Sequence, residues 1–219
     1  MKNTFTLLMV MLLPFIAFSQ RNFERFSIGI GGGITRNQGD LSRPQSKDLI
    51  TGNFDYFISP YIQTGIEFQS GKIYGNEISS RYYQNHFKSF FFLIRVHAGQ
   101  FMRQRGYPTG EKATFNNLLK GIYAGTGIGA VLSNQKKIYR DAGDIDTFGS
   151  DKNFDAAIPA VIGVDNSGFN SKVITGISYQ GHFALSDQLD GYSPSGSKKD
   201  YYSAVVVSVK LRLGPVGVY

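Results

Sequence analysis

Apolar and polar residues alternate along most of this chain. From Arg25, the residues Phe26, Ile28, Ile30 and Ile34 alternate with Ser27, Gly29, Gly31 and Gly33, the period-2 pattern of a β-strand with one apolar face and one small or polar face. The same alternation predicts strands at about 25–35, 50–58, 61–72, 87–99, 120–132, 155–165, 170–184 and 201–213. In the third, Ile62, Thr64, Ile66 and Phe68 oppose Gln63, Gly65, Glu67 and Gln69. In the fourth, Phe90, Phe92, Ile94 and Val96 oppose Ser89, Arg95 and His97. In the eighth, Val205, Val207, Val209 and Leu211 oppose Ser208, Lys210 and Arg212. Pro159 is an irregularity in the sixth, because a strand interior normally excludes proline. Loops are expected at 36–49, 73–86, 133–153 and 185–200, all long and polar, whereas the connections after the second and sixth strands are tight. The polar stretch 100–118 has room for a short helix around Thr114 to Leu119.

An even number of strands, each near ten residues and joined by alternately long and short connections, predicts an eight-stranded antiparallel up-and-down transmembrane β-barrel. The stretch 100–118 departs from that pattern, since it falls where a short turn belongs. A Lys or Arg facing lipid at mid-bilayer costs about 2–4 kcal/mol, so mid-strand charges must point inward. Glu67, Arg95, His97, Lys210 and Arg212 all fall on the face opposite the apolar series, and they are the expected polar network of the lumen. Glu67 and Arg95 are expected to be direct cross-strand partners. An eight-stranded barrel is filled by its own side chains, and the inward glycines of the first and fifth strands leave room for longer neighbours. Alternation alone does not separate inside from outside. A soluble exported barrel with an apolar interior, binding a small hydrophobic ligand, is the alternative reading, and the crowding of small residues on the second face tells against it. Tyr56, Tyr61, Phe87, Phe183, Tyr201 and Tyr202 lie near strand ends, as interfacial aromatic girdles would.

Composition fits a packed chain. Of its 219 residues 42% are hydrophobic and 18% charged, which excludes a disordered one. The absence of Cys removes disulfides, thiolate metal sites and a cysteine nucleophile. Lys2 followed by an apolar run from Leu7 to Phe18, with Ala17 and Ser19 as the small residues before a cut, reads as a signal peptide over 1–19, leaving a barrel domain over 20–219. Loss of Lys2 lowers the formal net charge from +7 to +6. After Ser19 no run of 18 apolar residues forms a helical span. Export argues against nucleic acid as the partner of the basic residues. Those at 103, 105, 136, 137, 198 and 199 fall in connections, and for the ones in the loops after odd-numbered strands, 136, 137, 198 and 199, anionic lipopolysaccharide is a fitting partner.

Other candidate chemistry is weak, and no catalytic residue, cofactor or metal is expected. His182 with Ser186, Asp187 and Asp190 is the one local set that suits a hydrolase, yet no nucleophile motif accompanies it. Asp141, Asp144, Asp146 and Asp151 lack the spacing of a calcium loop. Gly125-x-Gly127-x-Gly129 is continued by strand pattern rather than by the helix a phosphate cradle needs.

Several short motifs carry a resemblance. They are Gly39-Asp40-Leu41-Ser42, the run from His86 to Phe101, Tyr123 to Gly129, Ser186 to Tyr192, and Asp200-Tyr201-Tyr202. With these the chain resembles the small outer-membrane β-barrel proteins of Bacteroidota, and more narrowly a PorG-like branch associated with type IX secretion. That branch often has Tyr ahead of Gly-Asp-Leu, where this chain has Asn37 and Gln38. The resemblance implies an eight-stranded barrel in the cell outer membrane without enzymatic chemistry, and for some members a place beside secretion-machinery proteins. It also implies an aromatic near the end of the last strand; here Tyr219 is terminal, with Gly214-Pro215 expected to separate it from that strand.

Overall fold

A computed structural model describes residues 22–37, 43–76, 82–102, 111–138, 152–167, 172–185 and 201–218; the expected signal peptide, 1–19, lies outside the described residues. Eight long strands form the fold: β1 (Asn22–Asn37), β2 (Lys47–Ser59), β3 (Ile62–Asn76), β4 (Tyr82–His97), β5 (Ile122–Ile138), β6 (Lys152–Ser167), β7 (Val173–Ala184) and β8 (Tyr201–Val218). Each pairs antiparallel with the next in sequence, and β8 returns to pair with β1 from Asn37↔Tyr202 to Asn22↔Val218. The sheet is a closed barrel of eight strands. A three-residue strand, Arg43–Gln45, adds to β3 opposite Tyr74 to Asn76 and prolongs β2 beyond Ser46.

The strands outrun their expected bounds at the end where 38–42, 77–81, 139–151 and 186–200 connect them. The β3–β4 hairpin stays paired up to Asn76↔Tyr82, so the loop expected over 73–86 contracts to 77–81, and those expected over 36–49 and 133–153 are likewise partly strand. At the other end β4 stops at His97, where Ala98–Gln100 turns as a 3-10 helix, and the stretch before β5 contains α1 (Glu111–Gly121), longer than the expected 114–119. β8 runs through Gly214 and Pro215 to Val218 rather than ending before them. Its register against β1 shifts between Glu24 and Phe26, and Gly214 absorbs the irregularity at φ +92°, a conformation glycine adopts without a Cβ clash. Pro159 is accommodated within β6. Direct pairing of β5 with β6 is interrupted between Thr126↔Ala160 and Gly129↔Ala157, while Thr126 Oγ1 donates to the Pro159 carbonyl at 2.9 Å.

Burial settles which face looks where. Phe92 and Val207 are 44% and 58% exposed, whereas Glu67, Arg95 and Lys210 are 5%, 3% and 3% exposed. The apolar row points out all round: Ile30 on β1, Ile50 on β2, Phe68 on β3, Ile128 on β5, Ile162 on β6 and Ile177 on β7 are exposed as well. A band of this extent cannot face water, so the soluble barrel with an apolar row turned inward is ruled out. Two of the expected girdle aromatics also differ, since Phe87 and Tyr202 are buried inside the barrel. Phe183 and Tyr201 do pack together near the wall, ring centroids 4.9 Å apart.

Phe92→Arg is expected to destabilise the bilayer-inserted protein by about 2–4 kcal/mol and Phe92→Leu by less than about 1.5 kcal/mol. Urea unfolding in phospholipid vesicles, followed by heat-modifiable gel mobility, measures both.

Candidate functional site

The lumen is built by register. Inward glycines lie directly across the ladder from large inward side chains: Gly29 from Lys210, Gly125 from Arg95, Gly129 from Phe91 and Gly163 from Tyr123. A Cβ at Gly163 would sit 2.6 Å from Tyr123 Oη, and one at Gly29 2.7 Å from Lys210 Cγ. The alternating Gly of β1 and β5 thus marks where neighbours cross the lumen.

At the centre Arg95 bridges two carboxylates, with Nη1 donating to Asp55 Oδ1 at 2.8 Å and Nη2 to Glu67 Oε2 at 2.6 Å. Glu67 and Arg95 therefore form an ion pair, but not as direct cross-strand partners. Glu67 faces Phe91 and Arg95 faces Gln63, and the length of the arginine side chain spans the four-residue offset. Asp55 is also held by Asn53 Nδ2 at 2.8 Å and Ser27 Oγ at 3.4 Å. Toward α1, Lys210 Nζ donates to Asp165 Oδ2 at 3.1 Å and lies 3.6 Å from Asp55 Oδ2. His97 Nε2 is 3.4 Å from Asp165 Oδ2, and its Nδ1 is 3.2 Å from the Tyr61 carbonyl. Arg212 is half-buried outside this cluster, its guanidinium 5.7 Å from the Phe57 ring centroid. Three buried carboxylates thus meet two fixed cations and an imidazole, so each charge has an opposite or a donor beside it.

Toward the other end the network becomes neutral and then aromatic. Gln69 Nε2 donates to Glu67 Oε1 at 2.9 Å and to Gln180 Oε1 at 2.7 Å, and lies 3.2 Å from His182 Nε2. Tyr202 Oη and Ser89 Oγ both donate to Gln69 Oε1 at 3.3 Å. His182 stacks on Tyr202 with centroids 4.2 Å apart and 7° between planes, and Phe91 and Phe87 close the group. Leu49, Val131 and Val206 complete a buried apolar layer there.

Asp55, Asp165, Gln69 and Gln180 are members of the network that the expected set omits. Each holds an inward parity in its strand, so the alternation that found Glu67 points to them as well. His182 is enclosed between Phe91 and Tyr202 rather than placed at a rim. Its suggested partners Ser186, Asp187 and Asp190, the loop aspartates 141, 144, 146 and 151, and the basic residues 103, 105, 198 and 199 lie outside the described residues. Lys136 and Lys137 fall within β5 rather than in a connection. Among the described residues no three His, Asp or Glu converge as a metal-ligand set.

Outward hydrocarbon-facing rows, closure without an edge and a charge-paired lumen together define a membrane-spanning β-barrel of the outer-membrane kind, and its place is the outer membrane. The same fold occurs in Neisserial surface protein A, matched with a TM-score of 0.51 and 9% identity over 86% of this chain and 97% of that one. It occurs too in Ail, the attachment invasion locus protein of Yersinia pestis, with a TM-score of 0.50 and 11% identity over 87% of this chain and 100% of that one. Neither a family model nor a curated protein matches the sequence.

Arg95→Ala leaves Asp55 and Glu67 buried without their shared cation and is expected to cost about 3–5 kcal/mol, read by urea unfolding in vesicles. Gly163→Leu, which drives a side chain into Tyr123, is expected to cost about 1–3 kcal/mol or more in the same assay.

Proposed function

We propose that this protein is a non-enzymatic outer-membrane barrel that conducts no solute and works through its end surfaces as an accessory of protein secretion. One observation carries the reading: the lumen is filled along its length. Side chains from all eight strands meet across it, from Ser27 and Tyr123 beside the Asp165, Lys210, His97 and Asp55 group through Arg95, Glu67 and Gln69 to His182, Tyr202 and Phe87. A bore stoppered this way offers no water path, so the surfaces left for function are the two rims and the outer wall.

The strand ends that 38–42, 77–81, 139–151 and 186–200 join lie at one rim, and the Pro60–Tyr61 turn, α1 and both described chain ends at the other. In this reading the first rim faces the cell exterior and the second the periplasm, as the usual placement of long and short connections in such barrels supports. The resemblance to the PorG-like branch supports secretion-machinery proteins as the partners.

The purified protein is expected to give no stable channel conductance in planar bilayers, and a steady open-channel current would defeat the reading. Because the chain has no Cys, single substitutions report sidedness. Thr147→Cys should react with an impermeant maleimide on intact cells, and Pro60→Cys only after lysis. Loss of the gene should lower the secreted fraction of the cell's exported proteins with total synthesis unchanged.

A further inference from the structure

The outward wall changes character abruptly across β3 to β6. Phe68 and Phe90, directly paired with ring centroids 5.0 Å apart, are the last members of the apolar row on β3 and β4 toward the 77–81 rim. The next outward row reads Ser70, Lys88, Leu132 and Phe154, each opposite the following one. The row after it reads Lys72, His86 and Asn134. A cavity of about 670 Å³ lies at these two rows, lined among others by Ser70, Lys88, Leu132, Phe154, His86 and Asn134. Leu132 and Phe154 are exposed, as is Lys88. Asp48, exposed on β2, lies next to Leu49, which faces Gly71, so it bounds the site beyond Lys72, and the lysines of the two rows are Lys72 and Lys88.

We propose that this cavity is a binding site for the phosphate-bearing headgroup of a membrane lipid, with Lys88 against the phosphate and Leu132 and Phe154 against the first carbons of its acyl chains. A lysine one row beyond the apolar band stands at the depth of the headgroups, where its stem can lie on apolar surface while its ammonium meets anionic groups. The side-by-side pairing of Lys88 with Leu132 matches a molecule that is anionic at one end and hydrocarbon at the other. Free phosphate would use only half of it. The lipid belongs to the outer leaflet if the 77–81 rim faces outward, and on that point the inference rests on the sidedness proposed above.

The test uses the full chain in detergent, with native mass spectrometry and lipid A as the probe, against its dephosphorylated form and inorganic phosphate. The unmodified protein should retain lipid A in preference to the dephosphorylated form. The double variant Lys72→Ala, Lys88→Ala should bind it about tenfold or more weakly, and Phe154→Ala should weaken both lipid forms alike. Equal retention of the two forms, or an undiminished affinity in the double variant, would overturn the site. Competition by inorganic phosphate as effective as that of the lipid would overturn its acyl half. Heat-modifiable mobility verifies that each variant is folded, and the comparison of the two lipid forms on the unmodified chain needs no variant. Sidedness is decided separately by maleimide labelling, so a reversed orientation and an absent site give different results.

Discussion

Inside hydrocarbon there is no water to satisfy a backbone N–H or carbonyl, and each one left unpaired costs several kcal/mol. The ladder between β1 and β8 answers that constraint, and much of the rest follows from it. Fifteen pairs of residues join the two strands, from Asn37↔Tyr202 to Asn22↔Val218. Without them two strands would present open edges to lipid. Closure at eight strands then fixes the bore at a width that side chains must fill, and it divides every strand into a lipid parity and a lumen parity. The Gly214 irregularity and the unpaired step at Pro159 are tolerated because the ladder is continuous on either side of them.

A narrow bore makes the lumen a problem of volume before it is one of charge. Lys210, Arg95, Phe91 and Tyr123 fit because the residue across the ladder from each is glycine. Glycine in a strand interior costs about 0.5–1 kcal/mol relative to alanine, and that loss is offset by the packing and ion pairing it admits. The layers follow the same economy. Ions sit toward the α1 end, amides in the middle, and Phe87, Tyr202 and Val131 toward the other rim, so polar groups lie where partners can reach them.

The closed eight-stranded barrel and its facing were legible because period-2 alternation carries both strand and side. Glu67, Arg95, His97 and Lys210 could be assigned inward from parity combined with the cost of a charge in lipid. The register of the β3–β4 hairpin was not legible. Polar residues over 73–86 read as loop, yet pairing continues to Asn76↔Tyr82, because beyond the apolar band a strand needs no apolar face. Hence Arg95 meets Gln63 across the ladder and reaches Glu67 only along a diagonal. Asp165 was hidden by its place at the expected end of the sixth strand, although Val161 and Gly163 set its inward parity. Phe87 and Tyr202 were misplaced for the opposite reason: nearness to a strand end outweighed parity, and parity decides the side.

That the lumen is ionic at all requires a reason, since well-packed apolar residues often replace a buried ion pair at no loss of stability. In a barrel the reason lies in the competing registers. Slipping one strand by a single residue exchanges its two faces. A slip of β4 would carry Arg95 into lipid, and a slip of β8 would carry Lys210 there, each at about 2–4 kcal/mol near mid-bilayer. Each slip would also strand a carboxylate in the lumen: Asp55 and Glu67 without Arg95, or Asp165 without Lys210. An apolar lumen would carry no such penalty, because a slipped Leu is as much at home in hydrocarbon as inside the barrel. The Asp55, Arg95, Glu67 and Lys210, Asp165 contacts thus select the native pairing of β2, β3, β4, β6 and β8 more than they deepen it.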